Sequence, residues 1–452
     1  MSLTINNIKT FPMGGVHPSE NKYTADKPIE KLAVPSQVTI PISQHIGAPA
    51  KPIVEQREKV KVGQVIAVST GFVSANIHAT ISGTVAKIDK VMDSTGYKRD
   101  AIIIKAGKDD EEWDESIDLS TDLATTISLS REEIIKKVAE AGIVGLGGAT
   151  FPSHVKLSVP KGRTAEFLIL NGVECEPYLT ADHRLMLEKG AEIVVGAKIL
   201  MKALDVTKAI IGIENNKPDA IQKMAELVAN EDGITIQPLK VQYPQGGEKQ
   251  LIKAAINREV PSGGLPIDVG AVVHNVGTAF AVYEAVQKNK PLIERVVTIT
   301  GKDVKNPSNF LVRIGTEVSV LIEAAGGIPE NTGKVISGGP MMGKALNSID
   351  IPIAKGTSGI LLIPNEEAKR GKIKACIRCS KCVDVCPMGL EPYLLMTLTQ
   401  RELYDRVEND KVLDCIECGS CSFTCPSDRP LLDYIRLGKK TVASLIRERN
   451  NQ

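Results

Sequence analysis

The sequence predicts a multidomain α/β protein with four parts in order along the chain: a small β barrel over residues 1–110, a Rossmann-like parallel sheet wrapped in helices over 130–290, a strand-rich insert over 291–350, and a helical domain organised by cysteines over 365–452. Three observations predict it. Short strand-like runs broken by Pro and Gly fill the first part, strands and helices alternate through the second, and eight of the nine cysteines fall into one duplicated motif in the last.

Length and composition set the frame. A chain of 452 residues with 42% hydrophobic residues can bury several cores. Lys+Arg 55 against Asp+Glu 54 leaves a net charge of +1, so the overall charge points to neither nucleic acid nor an anionic membrane. Aromatic residues make up 4%, too few for a base-stacking platform. The first residues lack the basic-then-apolar order of a signal peptide, and no apolar run reaches the roughly 18 residues a spanning helix needs. The expectation is a soluble chain with no membrane span, in a reducing cytoplasm where its thiols stay free for ligation.

In the first part, strands are expected at 32–35, 38–41, 64–69, 83–88 and 101–106. The stretches beginning at Val60 and at Ile77 resemble the two halves of a lipoyl or biotinyl carrier. The tip between them reads Thr70-Gly-Phe-Val-Ser-Ala-Asn and has no lysine to carry a prosthetic group, so a lipoyl-like barrel without the carrier function is expected. His17, His45 and His78 are isolated in sequence and read as surface or capping residues. An acidic linker, Asp109 to Glu115, runs toward Ser130-Arg-Glu-Glu133, a capping box that starts a helix at Arg131.

Alternation then sets in. Strands are expected at 166–170, 209–213, 235–242 and 271–274, with helices at 188–203, 217–229, 247–257 and 278–288. This pattern means a parallel sheet with helices on both faces and a ligand crevice at the C-terminal strand ends. Four loops lead there. Gly142-Ile-Val-Gly-Leu-Gly-Gly-Ala-Thr-Phe-Pro152 is rich in glycines that let a backbone approach a ligand and expose its N–H groups. Asn171-Gly-Val-Glu-Cys-Glu-Pro177 carries two carboxylates suited to accepting from sugar hydroxyls or a carboxamide, since they would repel phosphate. Tyr243 to Glu248 and His274 to Thr278 leave strands toward the same crevice. Cys175 reads as a small packed residue.

Past residue 290 come strands around one helix, 318–325, with no titratable cluster that marks catalysis; residues 356–363 lead back into the rest of the chain. The charged stretch from Glu366 to Lys374 then enters the cysteine domain. Cys376, Cys379, Cys382 and Cys386-Pro, then Cys415, Cys418, Cys421 and Cys425-Pro, both spell C-x-x-C-x-x-C-x-x-x-C-P. Three thiolates two residues apart grip three irons of a cube, and the fourth points elsewhere; in two-cluster domains it ligates the other cluster. The expected sets are Cys376, Cys379, Cys382 and Cys425 for one [4Fe-4S] cluster, and Cys415, Cys418, Cys421 and Cys386 for the other. Paired zinc sites share the C-x-x-C spacing but not the doubled Cys-Pro ending. Helices at 390–399 and 430–439 pack this domain.

The four loops resemble the FMN- and NADH-binding loops of the flavoprotein subunit of respiratory complex I and of related hydrogenase subunits. With Phe11-Pro-Met-Gly-Gly-Val-His-Pro18 at the start, the barrel ahead of the flavin domain and the double cysteine motif at the end, the chain resembles over its full length the C subunits of Rnf electron-transport complexes. That resemblance implies FMN, NAD(H) and two [4Fe-4S] clusters as cofactors, and a β-grasp, soluble-ligand-binding insert after the flavin domain. It implies that Gly145, Gly147, Gly148, Lys156, Asn171, Glu174, Asn275 and Thr278 hold FMN and that Phe151 stacks on NADH. Glu176, Tyr243 and Glu248 would stand near the nicotinamide. It further implies hydride transfer from NADH to FMN, single electrons passing through the clusters, and partners among other Rnf subunits, including a cluster-bearing acceptor and the membrane subunits. The complex would couple NADH and ferredoxin to Na+ or H+ transport from the cytoplasmic side of the cell membrane, with this chain attached peripherally. Two departures bear on the NADH contacts: Gly247 stands where complex I has the first of two glutamates, and His274 stands where it has the first of two asparagines. Rival readings are a flavin-free iron–sulfur adaptor and the diaphorase component of a soluble bifurcating complex.

Overall fold

The computed structural model describes residues 8–107 and 111–450, so Asp109 and Asp110 of the acidic linker lie outside the described residues. The barrel pairs a four-stranded sheet (in order Gln37–Pro41, Lys98–Ala106, Gly83–Met92, Lys59–Val60) with a three-stranded one (Lys51–Pro52, Val65–Val68, Ile77–His78). Alternate β-branched residues, among them Val38, Ile40, Ile66, Ile77, Ile102 and Ile104, close its core. His45 and His78 are buried here rather than lying at the surface. His45 Nε2 accepts from the Ala75 N–H, and burial, then nearby Lys355, lowers His78 to about 3, so both imidazoles are neutral packing groups.

The expected strand at 32–35 is absent, and the residues ahead of Gln37 leave the barrel. They form a strap. Lys9 bridges to Leu239, Val16 to Tyr243, and the Gly15 N–H donates to the Val385 carbonyl in the cysteine domain. Gly14 has φ +72, and a Cβ there would meet the backbone of Val385 and Cys386 at 2.7 Å, so the strap passes against the cysteine domain only as glycine. Lys22 Nζ then donates to the carbonyls of Glu174, Glu176 and Leu179 at 2.9, 2.9 and 2.6 Å, and Ile29–Lys31 joins the sheet of the insert.

The central sheet is parallel, in the order Ile234–Leu239, Ala209–Glu214, Phe167–Asn171, Ala271–Asn275. Chain order reverses between the last two strands, the point where such sheets open a crevice. Alternation along Phe167-Leu-Ile-Leu170 sends Leu168 and Leu170 to the helices Arg131–Glu140, Gly190–Leu204, Pro218–Val228 and Val276–Gln287, and Ile169 to the helix Glu248–Ile256. Gly196 is the contact point of the helices Gly190–Leu204 and Val276–Gln287, since a Cβ there would stand 2.0 Å from the Ala279 carbonyl. The expected elements appear within one to three residues of their ends, and Ser130 and Glu133 form the capping box. One helix, Ala181–Glu188, lies ahead of the one expected from residue 188.

The insert is a six-stranded mixed sheet covered by the helix Val318–Ala324. Its strand Gly359–Pro364 runs parallel beside Glu294–Thr300, and Ile29–Lys31 supplies one edge, so the sheet reaches beyond the expected limits of 291–350 at both ends. Lys355, fully buried, ties the bodies together by donating to the carbonyls of Asn76 in the barrel and Gly142 in the glycine loop. In the cysteine domain, the helices Pro392–Gln400, Tyr404–Asn409 and Leu431–Asn450 close on Leu395, Val407, Ile435 and Val442. The last helix runs eleven residues past the expected end at 439.

Candidate functional site

The crevice forms where strand ends meet. Asn171 and Asn275 end neighbouring strands in direct register, so two amide side chains stand together at the switch point. Asn275 Oδ1 accepts from the Gly277 N–H and caps the helix Val276–Gln287, while its Nδ2 donates to Asp182 at 2.7 Å and to the Asn171 carbonyl at 3.3 Å. Asn171 Nδ2 donates to the Gly246 carbonyl at 2.9 Å, fixing the loop Tyr243–Glu248 over the strand end. The glycine loop folds back on itself through the Gly145 N–H and the Phe151 carbonyl, and the Leu146 N–H donates to buried Thr278. Gly147 and Gly148 are exposed; a Cβ on Gly147 would lie 3.3 Å from Asn275, and one on Gly148 would meet nothing within 4 Å. Lys156 Nζ lies 2.9 Å from Glu248 and 3.0 Å from the Val273 carbonyl.

Of the residues expected to hold a flavin, the structure gathers Gly145, Gly147, Gly148, Lys156, Asn171, Asn275 and Thr278 around this crevice, with half-buried Phe151 at the end of the loop. Their chemistry fits the group. Exposed glycine backbone and the Lys156 ammonium suit a phosphate, and paired amides suit the polar edge of a flavin ring. His274 adds a second sign: its buried Nε2 has no partner among the described residues, and burial, then Lys156, lowers its pKa to about 3, leaving a neutral donor or acceptor for a ligand.

Three expected ligand contacts are turned elsewhere. Glu174, at φ +47, accepts from the Asp182 and His183 N–H groups at 2.7 and 3.1 Å and caps Ala181–Glu188. Glu176 accepts from the Met341 and Met342 N–H groups at 3.1 and 2.7 Å, gripping a loop of the insert. Burial raises Glu176 to about 7. Tyr243 is buried and donates its hydroxyl to the Cys418 carbonyl at 2.8 Å. Glu248 alone of the three residues expected beside the nicotinamide remains with the crevice cation. Glu174, Glu176 and Tyr243 are turned for one reason: orphan N–H groups and a buried carbonyl in adjoining segments satisfy these side chains.

Sequence reasoning missed several residues of the site. Lys22 from the strap and Lys217, which donates to the Val173 carbonyl, hold the loop 172–179 from two sides, and nothing in their local sequence marks them. Asp182 is pushed up to about 7 by burial first and then by the Glu174 carboxylate. Cys175 packs with Tyr243 and Cys418, as a small packed residue should.

The cysteines gather in crossed sets. Cys386 lines one cavity with Cys415, Cys418 and Cys421, and Cys382 has Cys425 and Cys376 as electrostatic neighbours. Burial, then neighbouring thiols, pushes Cys421 up to about 12; burial likewise raises Cys415 to about 11. Thiols raised in this way are stable as thiolates against a positive metal core, which fits an iron–sulfur cube. Among the described residues no three His, Cys, Asp or Glu converge tightly enough for a single ion. Tyr243 joins this cavity to the crevice through its own loop, and Gln250 Nε2, from the helix that follows, donates to the Pro387 carbonyl.

Comparison with known proteins assigns all four parts. Residues 9–109 match the RnfC barrel sandwich hybrid domain, 138–284 the Nuo51 FMN-binding domain, 296–345 the SLBB domain and 368–431 a 4Fe-4S dicluster domain. The fold and these matches define an FMN- and iron–sulfur-containing electron-transfer protein of the oxidoreductase class, which sets aside the flavin-free adaptor. The chain is 50% identical over 432 residues to the C subunit of the proton-translocating ferredoxin:NAD(+) oxidoreductase complex of Clostridium ljungdahlii, covering 95% of this chain and 93% of that one. It is 44% identical over 448 residues to the C subunit of the Na(+)-translocating complex of Acetobacterium woodii, covering 98% and 100%. It is 42% identical over 387 residues to the C subunit of the ion-translocating oxidoreductase complex of Rhodobacter capsulatus, covering 84% and 73%. The chain belongs to the family formed by the C subunits of ion-translocating ferredoxin:NAD(+) oxidoreductase complexes.

Proposed function

We propose that this chain is the NADH-oxidising member of such a complex, working with the other subunits to couple NADH and ferredoxin redox chemistry to Na+ or H+ transport. FMN would be held by Gly145, Gly147, Gly148, Lys156, Asn171, Asn275 and Thr278. One [4Fe-4S] cluster would be held by Cys376, Cys379, Cys382 and Cys425, and the other by Cys386, Cys415, Cys418 and Cys421. When bound, the flavin supplies the exchange of a hydride pair for single electrons, and the clusters supply single-electron carriage. The domain limits implied by this division remain those of the barrel, the FMN domain, a β-grasp insert and the two-cluster helical domain.

The chain's own residues do positioning work. Lys156 places a cation at the crevice, with Glu248 as its partner until an anionic ligand competes for it. Phe151 and Glu248 are placed for the nicotinamide side. Glu174 acts one step back, by holding the helix that carries Asp182 under Asn275. Glu176 and Tyr243 lock the insert and the buried thiol cage to the flavin domain and do not touch substrate. Among the described residues no helix is long and apolar enough to cross a membrane, so attachment would run through membrane subunits, on the cytoplasmic side.

The observation that carries this reading is the loop Tyr243–Glu248: one end is hydrogen-bonded into the buried thiol cage, the other pairs with the crevice lysine. Anaerobic reconstitution followed by iron and flavin analysis tests it. The expected result is about eight irons and one flavin per chain, bleaching of both chromophores by NADH, and loss of flavin in Lys156→Ala. Eight irons with no flavin and no bleaching would overturn it.

A further inference from the structure

The cysteine motif nearer the N-terminus sits in a stretch that the proposed electron route leaves without a role. All thirteen residues from Lys369 to Lys381 are exposed, in irregular backbone except at the end. They include six cations, Lys369, Arg370, Lys372, Lys374, Arg378 and Lys381, and no acid, in a chain whose net charge is +1. Asp433 pairs with Arg370 at 2.6 Å, Asp428 lies beside Gly371, and Asp384 follows in the next short helix. The other five cations have no ion pair among the described residues. The stretch is pinned along the exposed thiol cage, because the Lys374 N–H donates to the Ser427 carbonyl and the Ser427 hydroxyl to the Ala375 carbonyl, two residues past Cys425. Between the cations stand Ile373 and Ile377, 54% and 67% exposed, and the thiols of Cys376 and Cys379 are exposed with them.

The second motif shows that this is not a requirement of cluster binding. Where the first reads Cys376-Ile-Arg-Cys-Ser-Lys-Cys382, the second reads Cys415-Ile-Glu-Cys-Gly-Ser-Cys421. Glu417 is held by Arg436 and Lys439 at 3.1 and 3.2 Å, and Gly419, at φ +81, lies under the Met341 carbonyl of the insert. One cage is thus covered by its own chain, while the other is ringed by unpaired cations around two exposed isoleucines. A small apolar centre with a charged rim is the surface of a brief, electrostatically steered encounter.

We infer that the segment Lys369–Lys381 is the docking face for an acidic iron–sulfur carrier protein, which brings its own cluster against the exposed thiol cage. This names the partner face of the proposed electron route and rests on that reading. The cations lengthen encounter and set orientation, and Ile373 and Ile377 exclude water at the closest approach.

The test uses the reconstituted full chain and an acidic two-cluster bacterial ferredoxin on a sensor surface, with affinity measured across ionic strength. The unmodified protein should bind more weakly as salt rises. The triple variant Lys372→Glu, Lys374→Glu, Lys381→Glu should lose on the order of tenfold in affinity at low salt and show a flatter salt dependence. The corresponding triple Gln variant should fall between, and it covers the case in which charge reversal disturbs folding. Unchanged affinity in both variants would overturn the inference. So would loss of binding to anionic phospholipid vesicles with ferredoxin affinity unchanged, which would make the face a membrane contact. NADH-dependent reduction of ferricyanide, which needs no docking face, should be unaffected in every variant; its absence from the unmodified protein would sink the proposed function and leave the binding result standing.

Discussion

The two cysteine motifs have one spacing and two surroundings. Cys386, Cys418 and Cys421 are buried, with Cys418 packed among Val16 of the strap, Tyr243 of the flavin domain and Met341 of the insert, whereas Cys376 and Cys379 are exposed on a basic segment. Spacing settles what each set can ligate, and neighbours settle what each ligated group can reach. The buried cage touches Tyr243 and, on the proposed route, would stand at its interior end; the exposed cage would face the next carrier. On the proposed route a duplicated motif would act as a directed pair because its copies differ at positions outside the cysteines, Arg378 against Glu417 and Lys381 against Ser420.

Replacing one ligand in each cage should separate them most widely. Cys418→Ser should drop iron from about eight to about four per chain and also loosen the junction with the flavin domain, lowering Tm by on the order of 10 °C. Cys379→Ser should remove the same iron with a much smaller shift in Tm. Equal shifts, read by differential scanning fluorimetry, would break the contrast.

Tyr243→Phe strips the hydroxyl from the Cys418 carbonyl and leaves a buried acceptor unpaired, at a cost of about 1–3 kcal/mol. An EPR redox titration should show one cluster potential moved by on the order of tens of millivolts and the other unmoved. Movement of both would mean the tyrosine acts through the whole domain.

Glu176 latches the Met341 loop near the buried cage and has no counterpart at the exposed one among the described residues. Its pKa is about 7 in the folded chain against 4.5 for the ordinary side chain. The folded state therefore holds the extra proton between those values, and the group's favourable contribution is complete below about 4.5 and lost as pH rises through about 7. The Tm of the wild type should fall relative to that of Glu176→Gln between pH 5 and 8; a constant difference would contradict the burial that raises this carboxyl. The smallest effect is expected from Glu417→Gln, which loosens pairs with Arg436 and Lys439 that are about one-third exposed and worth roughly 0–1 kcal/mol.

Much of this is legible in the sequence because it depends on local patterns. The parallel sheet follows from alternating apolar strands and helices, and the crossed thiol sets are an expectation drawn from the doubled Cys-Pro spacing. The gathering of the crevice glycines, Asn171 and Asn275 is expected from loops at strand ends, whereas Lys156 is expected only from the family resemblance. What is not legible depends on contacts between distant segments. Residues 8–31 carry no periodicity that says they leave the barrel, cross the flavin domain and end as an edge strand of the insert. Glu176 and Tyr243 read as crevice residues because their loops leave the right strands, yet a loop's origin does not fix which way its side chains face. The Met341 and Met342 N–H groups and the Cys418 carbonyl, more than 160 residues away in sequence, decide that. The strand Gly359–Pro364 reads as a connection although it pairs antiparallel with Thr332–Ser337 and parallel with Glu294–Thr300, the second of which lies across the whole insert.

The crossing of the two motifs is tested most directly by EPR of single-cysteine variants. Cys386→Ser should alter the cluster signal that Tyr243→Phe alters, and Cys425→Ser should alter the one that Cys376→Ser alters. If Cys386→Ser instead changes the signal that belongs with Cys376, each motif binds its own cluster, and the assignment of a buried and an exposed end to the route is wrong.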